Sequence, residues 1–126
     1  MPDMASFRID IVLENRLKPG ARVTVHQLLV DTGSELTWVP ATILEALGVE
    51  RDRLRQFRQA TGAIVERWTG GARIHTGDIA TNDDVVFGEP GDVSLLGVRT
   101  LEGLNVVVDP VNRKLVDAGA MPAAPA

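Results

Sequence analysis

The residues best suited to chemistry are Asp31-Thr32-Gly33-Ser34. Asp31 follows the apolar run Leu28-Leu29-Val30 and precedes a glycine. A carboxylate leaving a buried strand is held by a rigid element, and a glycine beside it allows close approach of another backbone or a ligand. Such a group can act as a general acid or base. The hydroxyls of Thr32 and Ser34 can hydrogen-bond its neighbours. The plainer reading is turn chemistry, with Asp31 opening a turn, Gly33 taking positive φ and the hydroxyls satisfying the backbone.

Other polar groups suggest less. His26 and His75 lack metal-ligand spacing and read as surface or strand-edge residues. Asp83-Asp84 reads as a solvated turn rather than a cation site. Gly70-Gly71 lacks the strand, lysine and helix of a phosphate loop. Arg51, Arg53, Arg55 and Arg58, against Glu50 and Asp52, read as a solvated face. No metal and no cofactor is expected.

The elements that would position Asp31 are short strands. Phe7, Ile9, Ile11 and Leu13 alternate with polar residues, as on a half-buried strand. Lys18-Pro19-Gly20 is a turn. Val23 and Val25 continue the alternation up to Leu28-Leu29-Val30, which predicts a hairpin whose second strand enters the core before Asp31. Leu36–Val39 is a further strand. Pro40 suits the first position of a helix carrying Ile43, Leu44 and Leu47, and Gly48 would end it.

Strands are expected at 51–58 and 64–68, joined by a turn at Ala60-Thr61-Gly62-Ala63 into a projecting hairpin. Gly70-Gly71, Gly77-Asp78 and Asn82-Asp83-Asp84 would separate short strands at 72–76, 79–81 and 85–87. Glu89-Pro90-Gly91-Asp92 is a turn. Leu95-Leu96-Gly97 leads into a short helix over Val98 and Leu101. Val106–Val108 reads as a buried strand, Asp109–Asn112 as a turn and Lys114–Val116 as a last strand. Many short strands with two short helices make a mainly-β chain in the sandwich or barrel range.

Two motifs in order carry a resemblance. Leu28-Leu29-Val30-Asp31-Thr32-Gly33-Ser34 resembles the active-site motif of aspartic proteases. Leu95-Leu96-Gly97, followed by a short helix, resembles the apolar-apolar-glycine segment that threads beside the active-site loop in that fold. The lone Asp-Thr-Gly and the spacing are similar to single-domain, retropepsin-like enzymes of bacterial type, over about residues 7 to 117. The resemblance implies a closed-barrel-like acid-protease fold with a flap hairpin and two short helices. It implies an aspartic endopeptidase in which Asp31 is catalytic, Thr32 cross-braces two subunits and Gly33 and Ser34 complete the loop. Ala60, Thr61, Gly62 and Ala63 would form the flap tip over substrate, and Leu95, Leu96 and Gly97 would support the loop. The tip lacks the dense glycines of viral members, Glu35 adds a second acid near Asp31, and Trp38 adds a bulky ring.

One carboxylate cannot be both acid and base, so the resemblance implies a homodimer acting on a polypeptide substrate. In viral-type members the chain termini supply strands to the dimer interface, which makes Phe7–Leu13 and Lys114–Val116 the corresponding strands here. The alternative is a non-catalytic peptide-binding or dimerisation module retaining the protease fold.

Bulk properties fit one domain. The chain has 126 residues, 44% hydrophobic and only 4% aromatic, so its core must be built from Val, Leu, Ile and Ala. The net charge of -4 and the lack of a basic tract argue against a nucleic-acid partner. With no cysteine, disulfides and thiolate chemistry are excluded. No apolar run reaches the ~20 residues of a membrane span. With no signal-peptide pattern, a cytoplasmic location is expected. Residues 1–6 are expected to be a flexible N-terminus, 7–117 the domain and 118–126 a disordered tail.

Overall fold

A computed structural model describes residues 7–124, so the N-terminal segment 1–6 lies outside the described residues. The chain is mainly β. In order it forms β1 (Arg8–Glu14), β2 (Arg22–Val30), β3 (Thr37–Pro40), α1 (Ala41–Leu47), β4 (Arg53–Arg58), β5 (Ile64–Thr76) and β6 (Ile79–Gly88). There follow β7 (Leu95–Leu96), α2 (Val98–Gly103), β8 (Val106–Asp109) and β9 (Lys114–Asp117).

Seven strands pair in the order β1-β2-β7-β3-β6-β5-β4, and β1 also pairs with β5. The pairings from β1 round to β5 therefore close into a ring, which leaves β4 outside it. Closure removes the free edges that an open sheet would present. β8 and β9 form a separate two-stranded sheet. Inside the ring, Ile11, Leu13, Val25, Leu28, Val39, Ile74, Val85 and Leu96 are buried. Each fully buried aliphatic side chain of this size contributes about 1.5–3 kcal/mol.

A bulge in β2 sets the direction of Asp31. The β1–β2 register shifts between Ile9 and Ile11, and Gln27 adopts φ 59°. Val25 faces the core, His26 and Gln27 are both exposed, and Leu28 and Val30 face inward again. One extra residue thus moves the buried positions from odd to even numbers. The Asp10 carboxylate holds the bulge, accepting from Gln27 N–H at 2.9 Å and meeting His26 Nδ1 at 3.1 Å. These bonds, the Gln27 amide first, lower the pKa of Asp10.

Several expectations need correction. Gly70-Gly71 and Asn82–Asp84 do not break strands; β5 and β6 run through them as thirteen and ten residues. Gly70 is required by a backbone that passes close by, whereas Gly71 meets only the movable end of the Arg16 side chain. A Cβ on Gly70 would lie 2.3 Å from the Glu50 carbonyl oxygen, and one on Gly71 would lie 2.6 Å from the Arg16 guanidinium carbon. Val106–Val108 is not buried throughout, since Val107 is 49% exposed. Pro40 ends β3 and caps α1 instead of opening its first turn. Gly48 does close that helix in a left-handed conformation at φ 82°. Beyond β9, Ala118 N–H bonds the Asn105 carbonyl at 2.9 Å, and the Asn105 side chain reaches Gly119 at 2.9 Å.

Candidate functional site

Asp31 follows the last residue of β2 and is half-buried. Its N–H bonds the Leu96 carbonyl at 3.0 Å, so the parallel β2–β7 pairing continues one residue past the strand. Its Oδ1 accepts the Gly33 N–H at 2.9 Å. A Cβ on Gly33 would stand 3.2 Å from that same oxygen, so the glycine leaves room for the carboxylate itself. Gly33 does not have positive φ, contrary to the plain turn reading. Thr32 is exposed.

The loop after Asp31 is anchored to α2 and β7. Ser34 Oγ donates to the Leu36 carbonyl at 2.9 Å. The carbonyls of Ser34 and Glu35 accept from Val98 and Arg99 at 2.8 and 3.1 Å. Gly97 crosses this loop so closely that a Cβ would lie 2.4 Å from the Leu36 oxygen. Only glycine fits there without a backbone shift.

A buried hydroxyl chain fixes the crossing. Gly97 N–H donates to Thr37 Oγ1 at 3.0 Å, Thr37 and Thr100 share a 2.6 Å bond, and Thr100 donates to Asp83 at 2.8 Å. Both threonines are fully buried, and the Asp83 side chain is only 5% exposed beside Arg99. The expected solvated turn at Asp83-Asp84 is therefore incorrect: Asp83 ends a buried polar chain. Nothing in the local sequence marks it, because the partners lie 17 and 63 residues apart along the chain.

Beside the loop lies an open cleft of about 800 Å³. Asp31, Gly33, Ser34 and Glu35 line one side, and the β4–β5 hairpin supplies Phe57 and Ala60. Phe57 meets Trp38 edge to face at 5.1 Å between ring centres. The hairpin turn has a Gln59 N–H to Ala63 carbonyl bond at 2.8 Å and Gly62 at φ 90°. Of the four residues expected at the tip, Ala60 lines the cleft; Thr61, Gly62 and Ala63 do not. Leu95 also lines the cleft, whereas Leu96 and Gly97 do not.

An ion pair ties the base of the hairpin to the far wall. Arg67 on β5 donates to Asp92 through Nε at 2.7 Å and Nη2 at 3.0 Å. A third contact reaches Glu89 at 3.1 Å. The Arg67 hydrogen bond lowers the pKa of Asp92 and raises that of Arg67.

Away from the cleft, His75 is not a plain edge residue. Its Nε2 lies 2.7 Å from Oε1 of the buried Glu14, whose other oxygen accepts Gly20 N–H at 2.8 Å and meets Arg22 at 3.3 Å. The Gly20 amide, then His75, hold the Glu14 carboxyl at about 2. Arg51 also departs from a simply solvated face, packing 4.6 Å over the Phe87 ring and 2.8 Å from Glu45.

Among the described residues, no group of three or more histidines or carboxylates is placed to hold a metal ion. No helix among them is long and apolar enough to cross a membrane. No protein-family model matches the chain, and no curated protein matches it.

Proposed function

We propose that the protein is a retropepsin-like aspartic endopeptidase in which Asp31 from each of two copies forms the catalytic pair. The observation that carries this reading is the setting of Asp31. It leaves a core strand on a loop crossed by Leu95-Leu96-Gly97, and it opens into a cleft beneath the β4–β5 hairpin. The closed ring of strands, with β4 outside it, supports the retropepsin-like barrel.

The mechanism requires two carboxylates. Like charges about 3 Å apart do not both ionise, so the pair shares one proton. The ionised member takes a proton from water as the water attacks the scissile carbonyl. The protonated member gives its proton to the carbonyl oxygen, forming a gem-diol. Return of a proton to the amide nitrogen then breaks the C–N bond. A two-fold axis supplies the second Asp31, because a symmetric interface places the same residue on both sides. Thr32 braces the two loops at that axis. An extended peptide lies between the Asp31 loop and the hairpin, with Trp38, Phe57 and Leu95 offering apolar contact.

The test joins sedimentation across protein concentration with cleavage of a denatured protein mixture between about pH 3 and 7. A dimer whose cleavage is greatest on the acidic side and disappears in Asp31→Asn is the expected result. A protein that binds the same substrates without cutting them would replace the enzyme with a peptide-binding module of the same fold. Cleavage by Asp31→Asn at the rate of the unaltered protein would end the proposal.

A further inference from the structure

A hydrogen-bonded route runs from the Asp31 main chain to Asp83, a carboxylate that does not line the cleft. The Leu96–Gly97 peptide joins its two halves, because one planar unit bonds on both sides. Its C=O accepts the Asp31 N–H at 3.0 Å, and its N–H donates to Thr37 Oγ1 at 3.0 Å. Thr37 and Thr100 share the 2.6 Å bond, and Thr100 donates to Asp83 Oδ2 at 2.8 Å.

The carboxylate gives this route a direction. A hydroxyl has one proton, and a carboxylate only accepts. With the Thr100 proton committed to Asp83, Thr37 donates to Thr100 and accepts from Gly97 N–H. Every donor from Asp31 N–H onward then points toward Asp83. Bonds aligned in this way polarise one another and strengthen together where water is excluded. Both threonines are fully buried, and the Asp83 side chain is only 5% exposed. An amide at residue 83 would not impose the direction. Its NH2 could donate to Thr100, which would turn its own proton to Thr37 and leave the Thr37 proton without an acceptor in the chain. The other Asp83 oxygen accepts the Asp84 N–H at 2.8 Å and lies 3.4 Å from Arg99, so its neighbours do not compete with Thr100.

We propose that Asp83 is a positioning residue for Asp31. Its charge orders the two buried hydroxyls and, through the Leu96–Gly97 peptide, holds the Asp31 N–H. The consequence for cleavage rests on the endopeptidase reading above; the consequence for the Asp31 main chain does not. A remote charge suits this task. A donor aimed at the Asp31 carboxylate would occupy its oxygens, whereas support through the main-chain N–H fixes the loop and leaves those oxygens available.

The test uses magnetic resonance to read amide exchange and the scalar coupling across the Asp31 N–H to Leu96 carbonyl bond. In the unaltered protein the Thr37 and Thr100 hydroxyl protons should be visible, exchanging slowly with water. Asp83→Asn should weaken the coupling and speed exchange at Asp31 and Gly97 about tenfold, while amides of the β1–β5 pair change less than about twofold. Thr100→Val, which cuts the route and keeps Asp83, should act likewise. In a Thr37→Val background Asp83→Asn should add nothing at Asp31, because the route is already broken. In cleavage, Asp83→Asn should lower kcat about tenfold with KM little changed. An inactive unaltered protein that still shows the exchange pattern would end the endopeptidase reading and uphold the positioning of Asp31. Hydroxyl protons lost to rapid exchange, equal acceleration across the barrel, an unmoved Asp31 coupling, or a full Asp83→Asn effect in the Thr37→Val background would each overturn the inference.

Discussion

Glu14 and Asp31 are two carboxylates at the ends of neighbouring strands, and they are treated in opposite ways. Glu14 is buried and surrounded by Gly20 N–H, His75 and Arg22. Its lone pairs are committed and its charge is fixed, with the pKa held at about 2. Asp31 is half-buried, accepts one N–H from Gly33 and faces an open cleft. The first carboxylate joins β1, β2 and β5 at the closure of the ring. The second is held by its backbone while its oxygens remain available. Saturation with donors suits a structural acid; a lightly bonded carboxylate on a rigid main chain is the arrangement that the proposed role of Asp31 requires.

The largest effect expected from breaking this contrast is at Asp31. On the proposed endopeptidase reading, Asp31→Asn should lower cleavage by about 10⁴-fold, with the melting temperature and far-ultraviolet dichroism unchanged. A variant that lost its fold instead would make Asp31 another structural acid. Next comes the glycine that holds the Asp31 loop. Gly97→Ala places a Cβ against the Leu36 carbonyl oxygen and should cost about 3 kcal/mol in urea unfolding. An unchanged midpoint would mean that the crossing relaxes freely.

Thr37→Val is smaller. It leaves Gly97 N–H and Thr100 without their shared partner in a buried place, at a cost of about 2 kcal/mol. Thr37→Ser should recover most of that loss, since it restores the hydroxyl.

The effect expected at Glu14 is read through pH. Its folded pKa lies below the ordinary glutamate value near 4.5, so its contribution is complete above that value and is lost as pH falls toward about 2. Glu14→Gln should therefore flatten the stability curve between those limits and leave its slope near neutrality alone. A slope unchanged at acid pH would assign that loss to other acids, of which Asp10, Asp92 and Asp109 also have lowered pKa values.

The sequence was most readable where period and composition agree. Alternation gave β1 and the first half of β2, and the apolar run before Asp31 marked entry into the core. The expected hairpin at 51–68 matches β4 and the start of β5, with its turn at 60–63. It was least readable at Gly70-Gly71 and Asn82–Asp84, where residue types that favour loops lie inside long strands. Glycine suits both a turn and a crowded strand, and Asp83 suits both solvent and a buried hydroxyl. Local propensity does not choose between such alternatives; neighbours from distant chain segments do.

By itself the sequence determined that the chain is mainly β, that its core is aliphatic, and that Asp31 follows a buried strand. Those features depend on side-chain period and polarity, which are local. Tertiary structure alone decided the closure of β1 on β5, the parity change at Gln27, the union of Thr37 with Thr100 and Asp83, and the meeting of Phe57 with Trp38 beside Asp31. Each of these joins segments far apart in the chain, or depends on the exact register between strands. Burial energy, steric fit and hydrogen-bond satisfaction act there through space, and no local pattern encodes them.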